Sequence, residues 1–172
     1  QGGYSDHIVV EQRFVVKVSD TLDLKAAAPL LCAGITTYSP LRHFKVGAGQ
    51  KVGVIGLGGL GHMGVKFAKA LGAQVVMITT TPEKGADAKR LGADDVLVSR
   101  DAAQMQAHAG SFDFLLNTIP VGHDTNPYMQ LLKRDATMCL VGVLTELDPP
   151  LTGVSVIFGR KHLTGSAIGG MA

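Results

Sequence analysis

The chain has 172 residues, 46% of them hydrophobic but only 5% aromatic, with 22 glycines and a formal net charge of +2 from 16 basic and 14 acidic residues. That balance fits one soluble α/β core with apolar strands and tight turns, and excludes a disordered or fibrous chain. Charges of both signs are spread along the sequence, no apolar run approaches the ~18 residues of a membrane span, and the opening QGGYSDH lacks a signal peptide. No nucleic acid or membrane partner is therefore expected, and the cytoplasm is the expected compartment.

Residues 8 to 18, IVVEQRFVVKV, are rich in β-branched residues around a polar turn and read as two short strands or one bent strand. APLLCAGITTYSPL (28–41) reads as a helix carrying Cys32, with Pro29 placed to open it. From residue 51 the text becomes regular. VGVIG (52–56) is an apolar strand, and LGHMGVKFAKALG (60–72) is a helix stopped at Gly72. QVVMIT (74–79) is the next strand, followed by Thr81 as a possible N-cap, Pro82 at the first helical position and a helix to Leu91 and Gly92. DDVLVS (94–99) precedes a helix over Asp101 to Ala109, and FDFLLNT (112–118) precedes one around Tyr128 to Lys133. TMCLVGV (137–143) and KHLTGSA (161–167) complete the alternation.

Six unbroken apolar strands alternating with helices predict a doubly wound, six-stranded parallel sheet covered on both faces, the Rossmann arrangement. Residues 41–172 form this expected dinucleotide-binding domain. Residues 1–40 are expected to be a remnant of a separate, β-rich domain with a linking helix, because the strands at 8–18 find no complementary strands in the chain. A start at Gln1 without methionine and a stop at Ala172 after an apolar, glycine-rich stretch are what a piece of a longer chain would show. Two cysteines, Cys32 and Cys139, make no disulfide framework and suit a reducing compartment.

The chemistry sits in Gly56-Leu57-Gly58-Gly59-Leu60-Gly61. Gly56 permits the turn after the strand, Gly58 lets the backbone approach a pyrophosphate, and Gly61 lets the helix pack near the strand, whose partner helix offers free N–H donors and a partial positive charge. An NAD site places a carboxylate at the end of the second strand to accept from the ribose 2′-hydroxyl. Here that stretch is Thr79-Thr80-Thr81-Pro82-Glu83-Lys84, with no acid at the strand end. Three hydroxyls and Lys84 can instead donate to a 2′-phosphate, which favours NADP. The alternative is that the threonines cap the next helix and Lys84 is a surface residue, as Lys89 and Arg90 are expected to be. Cys139, inside an apolar strand, reads as an inert core thiol. The six histidines show no metal-ligand spacing and are expected at the surface or at helix ends.

Residues 32–41 (CAGITTYSPL), GLGGLGHMG, LLKRDATMCLVGV and RKHLTGSAIGGM together resemble the zinc-dependent medium-chain alcohol dehydrogenases, closest to the cinnamyl alcohol dehydrogenase branch. The resemblance runs along nearly the whole chain and implies reversible hydride transfer between NADP(H) and an alcohol or aldehyde with one catalytic zinc. It implies that Cys32 is a zinc ligand and that Thr36, four residues on, packs beside the nicotinamide. It places Thr118, Val141, Gly142, Ser166 and Ile168 around the cofactor crevice. The other two zinc ligands and the proton relay belong to sequence outside these 172 residues, so the chain alone is expected to bind cofactor weakly and turn nothing over. The family commonly pairs through the last strand of this domain, so a homodimer through residues 161–170 is implied. One departure stands out: relatives often carry a second basic residue after Lys84, and here Gly85 follows. A zinc-free reductase of the same superfamily and a stand-alone NADP(H) sensor are the other readings.

Overall fold

The computed structural model describes residues 3–169; Gly170, the last residue of the segment expected to pair, lies outside them. Six strands form one sheet in the order β3-β2-β1-β4-β5-β6, with every neighbouring pair parallel. They are β1 (Lys51–Ile55), β2 (Gln74–Thr79), β3 (Asp95–Val98), β4 (Phe112–Asn117), β5 (Leu132–Leu140) and β6 (His162–Gly165). The helices are α1 (Leu24–Ala27), α2 (Ala33–His43), α3 (Gly59–Ala70), α4 (Gly85–Arg90), α5 (Ala102–Ala107), α6 (Asn126–Leu131) and α7 (Gly153–Ile157). This is the doubly wound arrangement expected from the alternation of apolar strands and helices.

Side chains that alternate along a strand face opposite sides of the sheet, and the core divides accordingly. Val52, Val54, Met77, Phe114 and Leu116 pack with Leu41 of α2 and Val65 and Ala68 of α3. Ile55, Val76, Ile78, Leu97, Leu115 and Met138 pack with Met129 and Leu131 of α6. Both faces are buried, which is why the strands read as unbroken apolar runs.

Several local expectations need correction. Residues 8–18 contain no strand; Gln12–Phe14 form a single 3₁₀ turn, and Ile8, Val9, Val10, Val15 and Val16 are exposed. A strand needs a ladder partner, and this stretch pairs with neither edge of the sheet. The helix expected over 28–41 is broken at Cys32 into a 3₁₀ segment Ala28–Leu31 and α2, with Cys32 itself at φ −127°, ψ −78°. α2 then crosses residue 40 and packs its Tyr38 edge-on against Phe67 of α3, ring centroids 5.4 Å apart. Thr81 precedes the 3₁₀ turn Pro82–Lys84 without a side-chain capping bond. α6 ends at Leu131 and β5 starts at once, so Lys133 lies in the strand rather than the helix. There Asp135 adopts φ 60°, accounting for a register shift against β4, and its carboxylate pairs with Arg160.

Candidate functional site: a dinucleotide crevice

The sheet order reverses between β1 and β4, and doubly wound sheets bind ligands outside the carboxyl ends of the strands at that switch. The glycine turn stands there. Gly56 has φ 92°, a conformation that costs glycine little and other residues much. A Cβ at Gly61 would fall 1.8 Å from the Gly56 carbonyl oxygen, so α3 can approach β1 only because that position is glycine. Gly58 is the N-cap of α3 and has no side chain with which to cap it. The first-turn N–H groups of this 12-residue helix are therefore left for a ligand, and a Cβ at Gly58 would meet nothing within 4 Å. Gly59 is exposed beside it.

Thr118, buried at the end of β4, ties this turn down. Its hydroxyl donates to the carbonyl oxygens of Ile55 (2.8 Å) and Gly56 (3.1 Å). Asn117, fully buried, accepts the Ile119 N–H at Oδ1 and lies 2.9 Å from His123 Nε2 through Nδ2. His123 Nδ1 donates to the Val121 carbonyl at 2.7 Å, so Nε2 is the acceptor of the Asn117 amide. Sequence reasoning missed this pair. No spacing signal marks it, because the loop that returns His123 to Asn117 is irregular.

A cleft of about 720 Å³ opens beside the turn. Cys32 and Thr36 line it from the start of α2, and Leu60 from α3. Val141, Gly142, Ser166 and Ile168 line it from beyond β5 and β6. The structure thus brings together residues separated by more than a hundred positions. The Thr36 N–H donates to the Cys32 carbonyl at 2.9 Å, joining the two across one turn. Thr36 is buried and Cys32 exposed. Val141 and Gly142 are held by their N–H groups donating to the Asn117 carbonyl at 2.9 and 3.3 Å, and Ser166 by its N–H donating to Leu140 at 3.0 Å. Ile168 sits at φ 56°, an uncommon conformation for a β-branched residue.

The threonine run divides. Thr79 is buried at the end of β2 and its hydroxyl accepts the Thr81 N–H, which leaves its own proton free to donate; Thr80 is exposed and Thr81 half-buried. Lys84 is exposed and lines a separate pocket next to Gly58. Cys139 is fully buried, and desolvation pushes its thiol up to about 11, which agrees with an inert core position.

Among the described residues, Cys32 is the sole His, Cys, Asp or Glu side chain on the cleft, and no group of three or more such side chains could hold a metal ion. A catalytic zinc needs three protein ligands, so these residues fit one corner of such a site and do not make one by themselves. No helix among the described residues is long and apolar enough to cross a membrane.

Comparison with known proteins agrees with this geometry. The family described as zinc-binding dehydrogenase matches residues 59–172. The chain is 52% identical over 171 residues to the aldehyde reductase YahK of Escherichia coli, covering 99% of this chain and 49% of that protein. It is 51% identical over 175 residues to cinnamyl alcohol dehydrogenase 1 of Ocimum basilicum, covering 99% and 48%. Among solved structures, a cinnamyl alcohol dehydrogenase from Sorghum bicolor superposes with TM-score 0.89 at 47% identity, covering 93% of this chain and 46% of that one. The Helicobacter pylori enzyme complexed with NADP(H) gives 0.87 at 41%, covering 98% and 48%. The chain belongs to the zinc-binding dehydrogenase family. It spans about half the length of the curated relatives it matches.

Proposed function

We propose that the chain is the cofactor-binding part of an NADP-dependent alcohol dehydrogenase or aldehyde reductase. The observation that carries this is the convergence of an uncapped α3 N-terminus, a strand end without a carboxylate and a cleft containing Cys32 and Thr36 at one switch point. The pyrophosphate lies on the first turn of α3, the adenosine ribose near Thr79 to Lys84, and the nicotinamide in the cleft beside Thr36. The similarity to a structure complexed with NADP(H) supports this placement.

Cys32 supplies one ligand to a catalytic zinc whose other ligands come from outside these 172 residues. Held there with Cys32 as one ligand, such an ion would supply Lewis-acid chemistry to a substrate oxygen. The chain's own residues orient the nicotinamide: Thr36 bounds one side of the ring, and Val141, Gly142, Ser166 and Ile168 the other. By itself the chain turns nothing over. Residues 41–172 act as the dinucleotide domain and residues 1–40 as part of the substrate domain and its linking helix. A homodimer forms through β6, which is an edge of the sheet and follows a segment with Val154, Ile157 and Phe158 exposed. The same reading puts the protein in the cytoplasm, where its two free cysteines stay reduced.

The test is oxidation of NADPH by the full-length protein with an aromatic aldehyde, before and after chelation and with Cys32→Ser. Loss of turnover on chelation and in the variant supports the assignment. Turnover that survives both favours the zinc-free reductase. Cofactor binding without turnover under any condition favours the sensor.

A further inference from the structure

At the amino ends of the strands, away from the crevice, a cavity of about 540 Å³ is lined by Lys51, Lys69, Lys133, Asp94, Asp113 and Ser111 among others. Two of its three ammonium groups are committed to carboxylates. Lys69 Nζ donates to Asp94 Oδ1 at 2.5 Å, and Lys133 Nζ to both oxygens of Asp113 at 2.8 and 2.9 Å. Lys51, the first residue of β1, takes part in none of the ion pairs among the described residues. Its Nζ lies 2.9 Å from His108 Nδ1, 3.0 Å from Ser111 Oγ and 4.6 Å from the centroid of the buried Phe112 ring. An ammonium has only donors, so His108 Nδ1 accepts and the ring proton sits on Nε2. Ser111 Oγ accepts from Lys51 and donates to the His108 carbonyl at 2.7 Å, which fixes the group of three. Desolvation lowers the Lys51 amine from its ordinary 10.5; Asp95 of β3 opposes this and Lys133 adds to it. Desolvation, then the Lys51 charge, lowers His108 from 6.5 against the pull of Asp95, so the imidazole is neutral at neutral pH and can take a proton.

We propose that Lys51 is a modification site, a nucleophilic amine that takes an acyl group from a small acyl phosphate with His108 as general base. The Lys51 ammonium passes one proton to His108 Nδ1, and the freed nitrogen attacks the acyl carbon. A C–N bond forms and the C–O bond to phosphate breaks. The departing phosphate takes the second proton from nitrogen and leaves as hydrogen phosphate, so the lysine becomes a neutral amide and nothing is oxidised or reduced. Three ammonium groups on the cavity wall exceed its two carboxylates, which draws in an anionic acyl donor and steadies the phosphate as it leaves. The half-buried position of Lys51 beside an open cavity lets the donor reach the amine while the Phe112 ring keeps it partly desolvated. The site lies at the end of the sheet opposite the glycine turn and is independent of which nucleotide the crevice binds.

The test is incubation of the full-length protein with acetyl phosphate, with the acetylation rate of each lysine read by peptide mass mapping in the parent and in His108→Gln. Glutamine keeps a polar acceptor beside Lys51 and is not a base. In the parent, Lys51 is expected to react about three- to tenfold faster than the exposed Lys66 and Lys89, because more of its amine is unprotonated. In His108→Gln that advantage is expected to shrink to about twofold or less, with the rates at Lys66 and Lys89 unchanged. A parent Lys51 no faster than Lys66 and Lys89 overturns the proposal without recourse to any variant. A fast Lys51 that keeps its rate in His108→Gln overturns the assignment of the base. An advantage equally large with an uncharged ester, N-hydroxysuccinimidyl acetate, overturns the acyl phosphate as the donor.

Discussion

The Thr118 hydroxyl lies 3.1 Å from the Gly56 carbonyl oxygen, joining the end of β4 to the glycine turn that follows β1. The bond crosses the switch point of the sheet, so the floor of the crevice is stitched from both sides. Thr118→Val keeps the shape and removes the donor. It should cost about 1 kcal/mol of stability and weaken cofactor binding, with Thr118→Ser recovering most of both. Denaturant unfolding and nucleotide titration of the three proteins check this.

The glycines of the turn separate into two physical roles. At Gly61 an added Cβ falls 1.8 Å from the Gly56 oxygen, so Gly61→Ala must push α3 away from β1 and should cost about 1–3 kcal/mol. At Gly58 the added carbon meets nothing in the protein. Gly58→Ala should change stability by less than about 0.5 kcal/mol and still weaken NADP about tenfold or more, because the methyl occupies ligand space. Thermal melts beside titrations distinguish the two.

Asp94 clamps β2 to α3 at the opposite end of the sheet. Its Oδ1 accepts from Lys69 Nζ at 2.5 Å and its Oδ2 from the Val75 N–H at 2.8 Å. The Lys69 hydrogen bond first, then the Val75 N–H, hold its carboxyl below the ordinary 3.8. A depressed folded-state value contributes stability that is present above pH 3.8 and lost as pH falls through the lower, folded value. Asp94→Asn should therefore destabilise at neutral pH by about 1 kcal/mol and converge with the parent at strongly acidic pH. Urea midpoints across that range measure it.

The two thiols should differ in reactivity. Cys139 is fully buried with its thiol raised to about 11, whereas Cys32 is exposed. With metal removed by a chelator, iodoacetamide at about pH 8 should label Cys32 but not Cys139 in the native protein, and both of them after unfolding. Peptide mass mapping reads the sites, and native labelling of Cys139 would contradict the packing described.

Much of this was legible in the sequence because it depends on local chemistry. β2 runs over Gln74–Thr79, the bounds its apolar text announces, and the glycine turn falls between strand and helix as its spacing requires. What escaped the sequence depends on partners. The β-branched residues at 8–18 satisfy a strand pattern, but a ladder needs a neighbour, and the sheet edges β3 and β6 do not take them. Leu131 and Leu132 continue an apolar run across the α6–β5 junction, which hid the change of backbone there, and the left-handed Asp135 leaves no trace in composition. The crevice floor was readable, and its cross-element contacts were not.

The most direct test of the account is a calorimetric titration of the full-length protein with NADP and with NAD, beside Thr79→Asp. The account predicts that the parent binds NADP more tightly. It also predicts that aspartate at the end of β2 reverses the preference by repelling the 2′-phosphate and accepting from a 2′-hydroxyl. Equal or tighter binding of NAD by the parent, or a preference unmoved by the aspartate, would contradict the assignment of the threonine run and Lys84 to the 2′-phosphate.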